Sequence, residues 1–125
     1  MKFLKYWFPV LLYCCIIFGA SSIPNVRFPD SVPTSDKFLH MFEYSILAVL
    51  FARAVRHSSK TQWALLIWAN AVFFVAFYGI TDEFHQSFVH GRASDLVDLV
   101  ADISGGSIGA ALYLLWKQRS SGKKS

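Results

Sequence analysis

The chain has 125 residues, of which 54% are apolar and 17% aromatic, with a mean hydropathy of +0.41. Its charged fraction, 16%, lies well below the roughly 25% usual in soluble domains, which excludes an ordinary water-soluble core and leaves a single membrane domain over residues 1–125. The formal charge of +4 does not point to nucleic acid, because the basic residues flank apolar runs instead of forming a patch on a polar helix.

A bilayer core of about 30 Å takes roughly 20 apolar residues as helix. Runs near that length cover residues 7–23, 38–55, 63–80 and 96–116. The third is expected to continue as helix to residue 86. Each run must be helical in hydrocarbon, where an unpaired backbone amide is expensive. The first begins behind Lys2 and Lys5 and ends at Gly19-Ala20-Ser21-Ser22. It reads as a retained helix, with a cleaved signal peptide as the alternative. Cys14 and Cys15 are adjacent inside it and act as small apolar fillers. Pro24, Pro29 and Pro33 then make residues 24–35 a stiff, non-helical loop.

A basic polar turn at 56–62 leads into the third run, which carries no charge. There Asn70 is expected to hydrogen-bond between helices. Gly91 marks the break between the third and fourth helices, with His90 as a solvated turn residue. In the fourth helix Gly105-x-x-x-Gly109, with Gly106, gives a smooth face on which a neighbour can pack closely. The tail from 117 to 125 is polar and expected to fray.

Charge sets the orientation. Lys2, Lys5, Arg53, Arg56, Lys60, Lys117, Arg119, Lys123 and Lys124 lie on one side of the spans, and Arg27, Lys37 and Arg92 on the other. The positive-inside rule then gives an all-α integral membrane bundle of four transmembrane helices with both termini cytoplasmic, in the plasma membrane. The acidic residues, Asp30, Asp36, Glu43, Asp82, Glu83, Asp95, Asp98 and Asp102, all fall at or near the opposite, extracytoplasmic ends. Carboxylates close to hydrocarbon are costly and commonly functional.

Helical spacing arranges these groups in stripes: Asp36, His40 and Glu43; Asp82, His85 and Gln86; Asp95, Asp98 and Asp102. Converging stripes would make one polar pocket at the outer leaflet. Its candidate acid–base groups are His40, Glu43, Asp82, Glu83 and His85, and its candidate ligand-binding groups are Asp36, Lys37, Gln86, Arg92, Asp95 and Asp98. Plainer roles stand beside these. Asp36 and Asp95 can cap helix starts. His40 and Glu43 can form a mutually satisfied buried pair. Arg92 can neutralise Asp82, Glu83 or Asp95, or instead join Lys37 in capturing an anion. His40, His85, Glu43 and Asp82 offer donors that zinc accepts, yet no HExxH or cysteine-pair signature accompanies them, so neither metal nor cofactor is expected. Ser45, Ser87 and Ser94 lack a nucleophile-elbow setting.

These residues resemble the VanZ-like family of small bacterial membrane proteins. The likeness rests on Asp36-Lys37-x-x-His40-x-x-Glu43-Tyr44, on Tyr78-Gly79-x-x-Asp82-Glu83-x-His85-Gln86-x-Phe88, on Gly91-Arg92, on Asp95-x-x-Asp98, and on the glycines of the last helix. At Asp102 the family more often carries Asn, so a carboxylate there adds charge that a packing role does not need. The family takes its name from a protein linked to resistance to the glycopeptide teicoplanin, which implies work at the cell envelope with membrane lipids as partners. Two functions stay open: binding of a lipid headgroup or lipophilic ligand, and acid–base catalysis on a lipid-linked or cell-wall substrate.

Overall fold

The computed structural model of the protein describes residues 1–24 and 35–123. These form four helices, α1 (Lys2–Ser21), α2 (Ser35–Ser58), α3 (Ala64–Gln86) and α4 (Leu96–Gly122), with no strand among the described residues. All four are long and apolar enough to cross a membrane. Short connections make them run up and down. α2 is the central element: it packs most extensively on α4 and also touches α1 and α3.

Polarity is inverted relative to a water-soluble protein. Leu11, Leu65, Phe73, Phe77 and Leu112 are exposed, whereas His40, Asp82, Glu83, Gln86, Asp98 and Asp102 are buried. That arrangement suits a bundle with hydrocarbon outside and polar groups facing one another inside. The apolar core, with Tyr44, Leu47, Ile67 and Val75 fully buried, fills the middle.

The glycines of α4 set the closest helix–helix approach. A Cβ on Gly105 would lie 2.1 Å from the Met41 carbonyl oxygen, and one on Gly109 would lie 2.4 Å from that of Ser45. The α2 backbone therefore rests directly on α4. Gly106 faces the other way, where an added Cβ would come 2.6 Å from Val75 Cγ1 of α3. On the α3 side of α4, Trp68 Nε1 also donates to the Ser107 carbonyl at 3.1 Å.

The basic end is closed by rings. Tyr6 stacks on His57 with centroids 4.2 Å apart, Arg53 lies 5.1 Å over the Tyr6 ring, and Trp7 Nε1 donates to Ser58 Oγ at 2.7 Å. These contacts join the start of α1 to the end of α2.

Several sequence expectations change. α1 begins at Lys2, ahead of residue 7, and α4 continues to Gly122, beyond residue 116. A helix of 27 residues is about 40 Å long at 1.5 Å per residue, so α4 outreaches the hydrocarbon. Ser120 and Ser121 hydroxyls bond back to the Trp116 and Lys117 carbonyls along the stretch expected to fray. Asn70 does not bridge helices. It is exposed, and its Nδ2 donates to the Leu66 carbonyl of its own helix at 2.8 Å. Gly91 does break the chain, at φ 79°, beside an exposed His90. The stiff loop read from Pro29 and Pro33, with Arg27 and Asp30, lies outside the described residues.

Candidate functional site

At the end of the bundle opposite the basic rings, α2, α3 and α4 each turn a polar stripe inward. Helical periodicity puts Lys37, His40 and Tyr44 on the α2 face that meets α4 and α3. Asp95 caps α4, its side chain accepting from the Val97 amide at 2.8 Å. The same carboxylate accepts from Lys37 Nζ at 2.8 Å, and Lys37 also donates to Asp98 one turn further into α4. Lys37 beside Asp95, aided by the Val97 amide, holds the Asp95 carboxyl below the usual carboxylate range.

The next layer inward is His40. Its Nδ1 lies 2.9 Å from Asp102 Oδ1, and its Nε2 lies 4.0 Å from Asp98 Oδ2. The residue that orients His40 is therefore Asp102 of α4, not Glu43 on its own helix. Residues three apart share a helix face, but α2 and α4 run side by side in the same direction, and the His40 ring reaches across their seam to Asp102.

α3 supplies two buried carboxylates with different surroundings. Asp82 is well satisfied: it accepts from the Ser21 hydroxyl, from Tyr44 Oη at 3.2 Å and from Gln86 Nε2 at 3.0 Å. Glu83 Oε2 accepts the Asp95 backbone amide at 2.8 Å, while Glu83 Oε1 is buried with no hydrogen-bond partner. Asp102 Oδ2 is likewise buried and unpartnered.

Arg92 reaches across the α3–α4 turn. Its Nε donates to the Ile23 carbonyl at 3.1 Å, one terminal nitrogen to the Ala20 carbonyl at 3.3 Å, and the other to Gln86 Oε1 at 3.4 Å. It makes no ion pair with a carboxylate among the described residues. Its guanidinium instead meets the Ala20 and Ile23 carbonyls at and just past the end of α1, the negative end of that helix dipole.

A cavity of about 130 Å³ opens between these elements, lined by Asp36, His40, Glu43, Asp82, Gln86 and Arg92 with Ala20, Ser21, Ile23 and Leu39. The Glu43 side chain faces it and has no hydrogen-bond partner among the described residues. Lys37, Asp95 and Asp98 form an adjoining ionic cluster, with Glu83 and Asp102 behind it. His85 stands apart: its ring stacks on Phe18 at 4.4 Å and its Nε2 lies 2.9 Å from Ser22 Oγ, so it faces α1 and does not line the cavity.

Three participants fall outside the candidate set drawn from the sequence. Asp102 was visible in the α4 stripe, but nothing in sequence spacing pairs it with His40. Tyr44 lies four residues after His40 on the same helix face, yet spacing does not pair it with Asp82; Ser21, which also satisfies Asp82, carries no spacing signal. Among the described residues, two groups present nitrogen and oxygen ligand atoms within 4.8 Å of one another: Asp36, His40 and Asp98; and His40, Glu83 and Asp102.

The sequence model of the VanZ/LLP1 family matches residues 6–117 of the chain. The chain belongs to the VanZ/LLP1 family. With four helices long and apolar enough to cross a membrane, it is a multi-pass membrane protein of that family. It is also similar to an uncharacterized protein of Schizosaccharomyces pombe, 34% identical over 88 residues, or 70% of this chain. The likeness is thus not confined to bacteria. The chain spans about half of that relative, 52% of its length. No solved structure matches. The polar cluster lies within the residues that the VanZ/LLP1 match covers.

Proposed function

We propose that this VanZ/LLP1 protein resides in the plasma membrane with both termini cytoplasmic, and that its acidic end faces outward and takes up the polar headgroup of a lipid or lipophilic ligand. The observation that carries the reading is Glu43, a carboxylate facing the cavity with no hydrogen-bond partner among the described residues. A carboxyl group at membrane depth without a hydrogen-bond partner is costly, and a ligand bearing donors would offset that cost.

Headgroup chemistry follows from which groups are already engaged. Lys37 is held by Asp95 and Asp98, and Arg92 by two carbonyls and Gln86. The cavity therefore offers acceptors from Glu43 and Asp36 more than it offers free cations. Hydroxyl or ammonium donors on the ligand suit it better than a bare anion does. Leu39 and Ile23 on the rim suit the apolar portion beyond the headgroup. Reduced access of a lipophilic glycopeptide such as teicoplanin to its target would be one consequence of such binding at the envelope.

The test is lipid retention. Protein reconstituted in nanodiscs of mixed phospholipids is washed, and its bound lipids are identified by mass spectrometry. Wild type should retain one class above the bulk composition, and Glu43→Gln should lose that enrichment. A wild-type profile equal to bulk would refute the reading.

A second reading rests on the His40–Asp102 contact of 2.9 Å. A carboxylate that fixes a histidine tautomer while the ring lines a cavity is the arrangement of a general acid–base. In that case His40→Ala would abolish turnover of a lipid-linked or cell-wall substrate while sparing its binding.

A further inference from the structure

Against the cavity wall that His40 helps to form lies a group whose two carboxylates the headgroup reading does not use. His40, Glu83 and Asp102 come from α2, α3 and α4, and one ligand atom from each lies within 4.8 Å of the other two. All three residues are buried, at 6%, 5% and 0% exposure. Two of their carboxylate oxygens, Glu83 Oε1 and Asp102 Oδ2, have no hydrogen-bond partner. Asp102 Oδ2 faces α3 at Gly79, where an added Cβ would stand only 3.2 Å from it. Gly79 is one turn before Glu83, and its missing side chain leaves space beside that Asp102 oxygen.

Buried carboxylate oxygens are seldom left bare, because the lost hydration must be replaced by a hydrogen bond or a cation. Here two such oxygens, on different helices, sit beside a histidine. The permanent positive charges nearby are committed elsewhere: Lys37 pairs with Asp95 and Asp98, and Arg92 makes no carboxylate contact among the described residues. The other candidate group, Asp36, His40 and Asp98, already has the Lys37 ammonium on Asp98 and lacks the unpartnered oxygens.

We propose that His40, Glu83 and Asp102 bind a divalent transition-metal cation, with zinc as the first candidate, inside the membrane-embedded bundle. One imidazole with two carboxylates suits zinc or a similar metal better than magnesium or calcium, which prefer oxygen alone. Ligand atoms around such an ion lie about 3–4 Å apart at metal–ligand distances near 2.1 Å, so modest side-chain rotation closes the set. Three protein ligands leave a coordination position open.

The experiment uses the full-length protein in nanodiscs, stripped with a chelator and titrated with Co²⁺ alone. Visible absorption reports low-coordinate cobalt, and mass spectrometry reports metal content. Wild type should bind stoichiometrically and release cobalt to added Zn²⁺. Asp102→Asn and Glu83→Gln should each weaken binding by at least about tenfold, while Asn70→Ala, on the outer face of α3, should not. Wild type that stays metal-free, with the two carboxylates sharing a proton, overturns the proposal. So does binding that survives both substitutions. If Asp102→Asn fails to fold, the wild-type stoichiometry and Glu83→Gln still decide. The readout needs no lipid ligand, so its failure leaves the headgroup reading standing, and the reverse also holds.

Discussion

Replacing Gly105 by alanine tests the architecture most directly. The added methyl would sit 2.1 Å from the Met41 carbonyl oxygen and 2.6 Å from Met41 Cα. An ordinary carbon–oxygen contact is no closer than about 3.3 Å, so α2 would have to retreat by roughly 1 Å. Both obstructing atoms are backbone, and no rotamer change relieves them. Alanine favours a helix over glycine by about 1 kcal/mol, whereas overpacking costs typically 1–3 kcal/mol and sometimes more. A rigid displacement also pulls on the layer above, because Met41 adjoins His40 and Gly105 follows Asp102 by one turn. We expect a net loss of about 1–2 kcal/mol and a weakened His40–Asp102 contact. Gly109→Ala should be somewhat milder, since its Cβ would stand 2.4 Å from the Ser45 oxygen. Gly106→Ala should be milder again, because its obstruction is the Val75 side chain. Reversible unfolding in mixed detergent micelles, followed by circular dichroism, gives the three values. A Gly105→Ala variant as stable as wild type would refute the close α2–α4 approach.

Asp95→Asn keeps the helix cap but removes the charge opposite Lys37. The folded Asp95 carboxyl is held below its ordinary value of 3.8, so its stabilisation is present above that value and lost as pH falls through the lower, folded one. Wild type should thus melt higher than Asp95→Asn at neutral pH, and the two melting curves should converge in strong acid. Asn70→Ala should change stability by less than about 0.5 kcal/mol, since Asn70 bonds only its own helix; a larger loss in the same unfolding assay would restore an interhelical role. For orientation, His90→Cys in a Cys14→Ser, Cys15→Ser background should react with an impermeant thiol reagent added outside intact cells. Labelling seen only after lysis would reverse the topology.

The gross fold was legible because a membrane imposes few choices. Length and apolarity located all four helices, and Gly105-x-x-x-Gly109 marked the tight face. Ends were less legible: α4 reaches Gly122 because nothing stops a helix from continuing past hydrocarbon into the headgroup layer, where serine hydroxyls can back-bond. The polar cluster was legible as a set of stripes but not as pairs. His40 and Glu43 are three apart in the chain, yet His40 meets Asp102, which is 62 positions away. Such a pairing depends on the relative rotation and depth of α2 and α4, which the glycines set and no local spacing encodes. His85 shows the same limit from the other side. It shares a helix with Asp82, but α1 captures its ring. Asn70 misled because a lone amide in a charge-free run can satisfy itself on its own helix.

The contact of α2 with the glycines of α4 also bears on traffic through the protein. Below His40 the two backbones touch, and Tyr44, Leu47 and Val75 fill what remains without exposure. The acidic compartment is a cul-de-sac: a solute that enters has a dry wall ahead of it and must leave by the mouth it came through. A path through the bundle would require prising those helices apart.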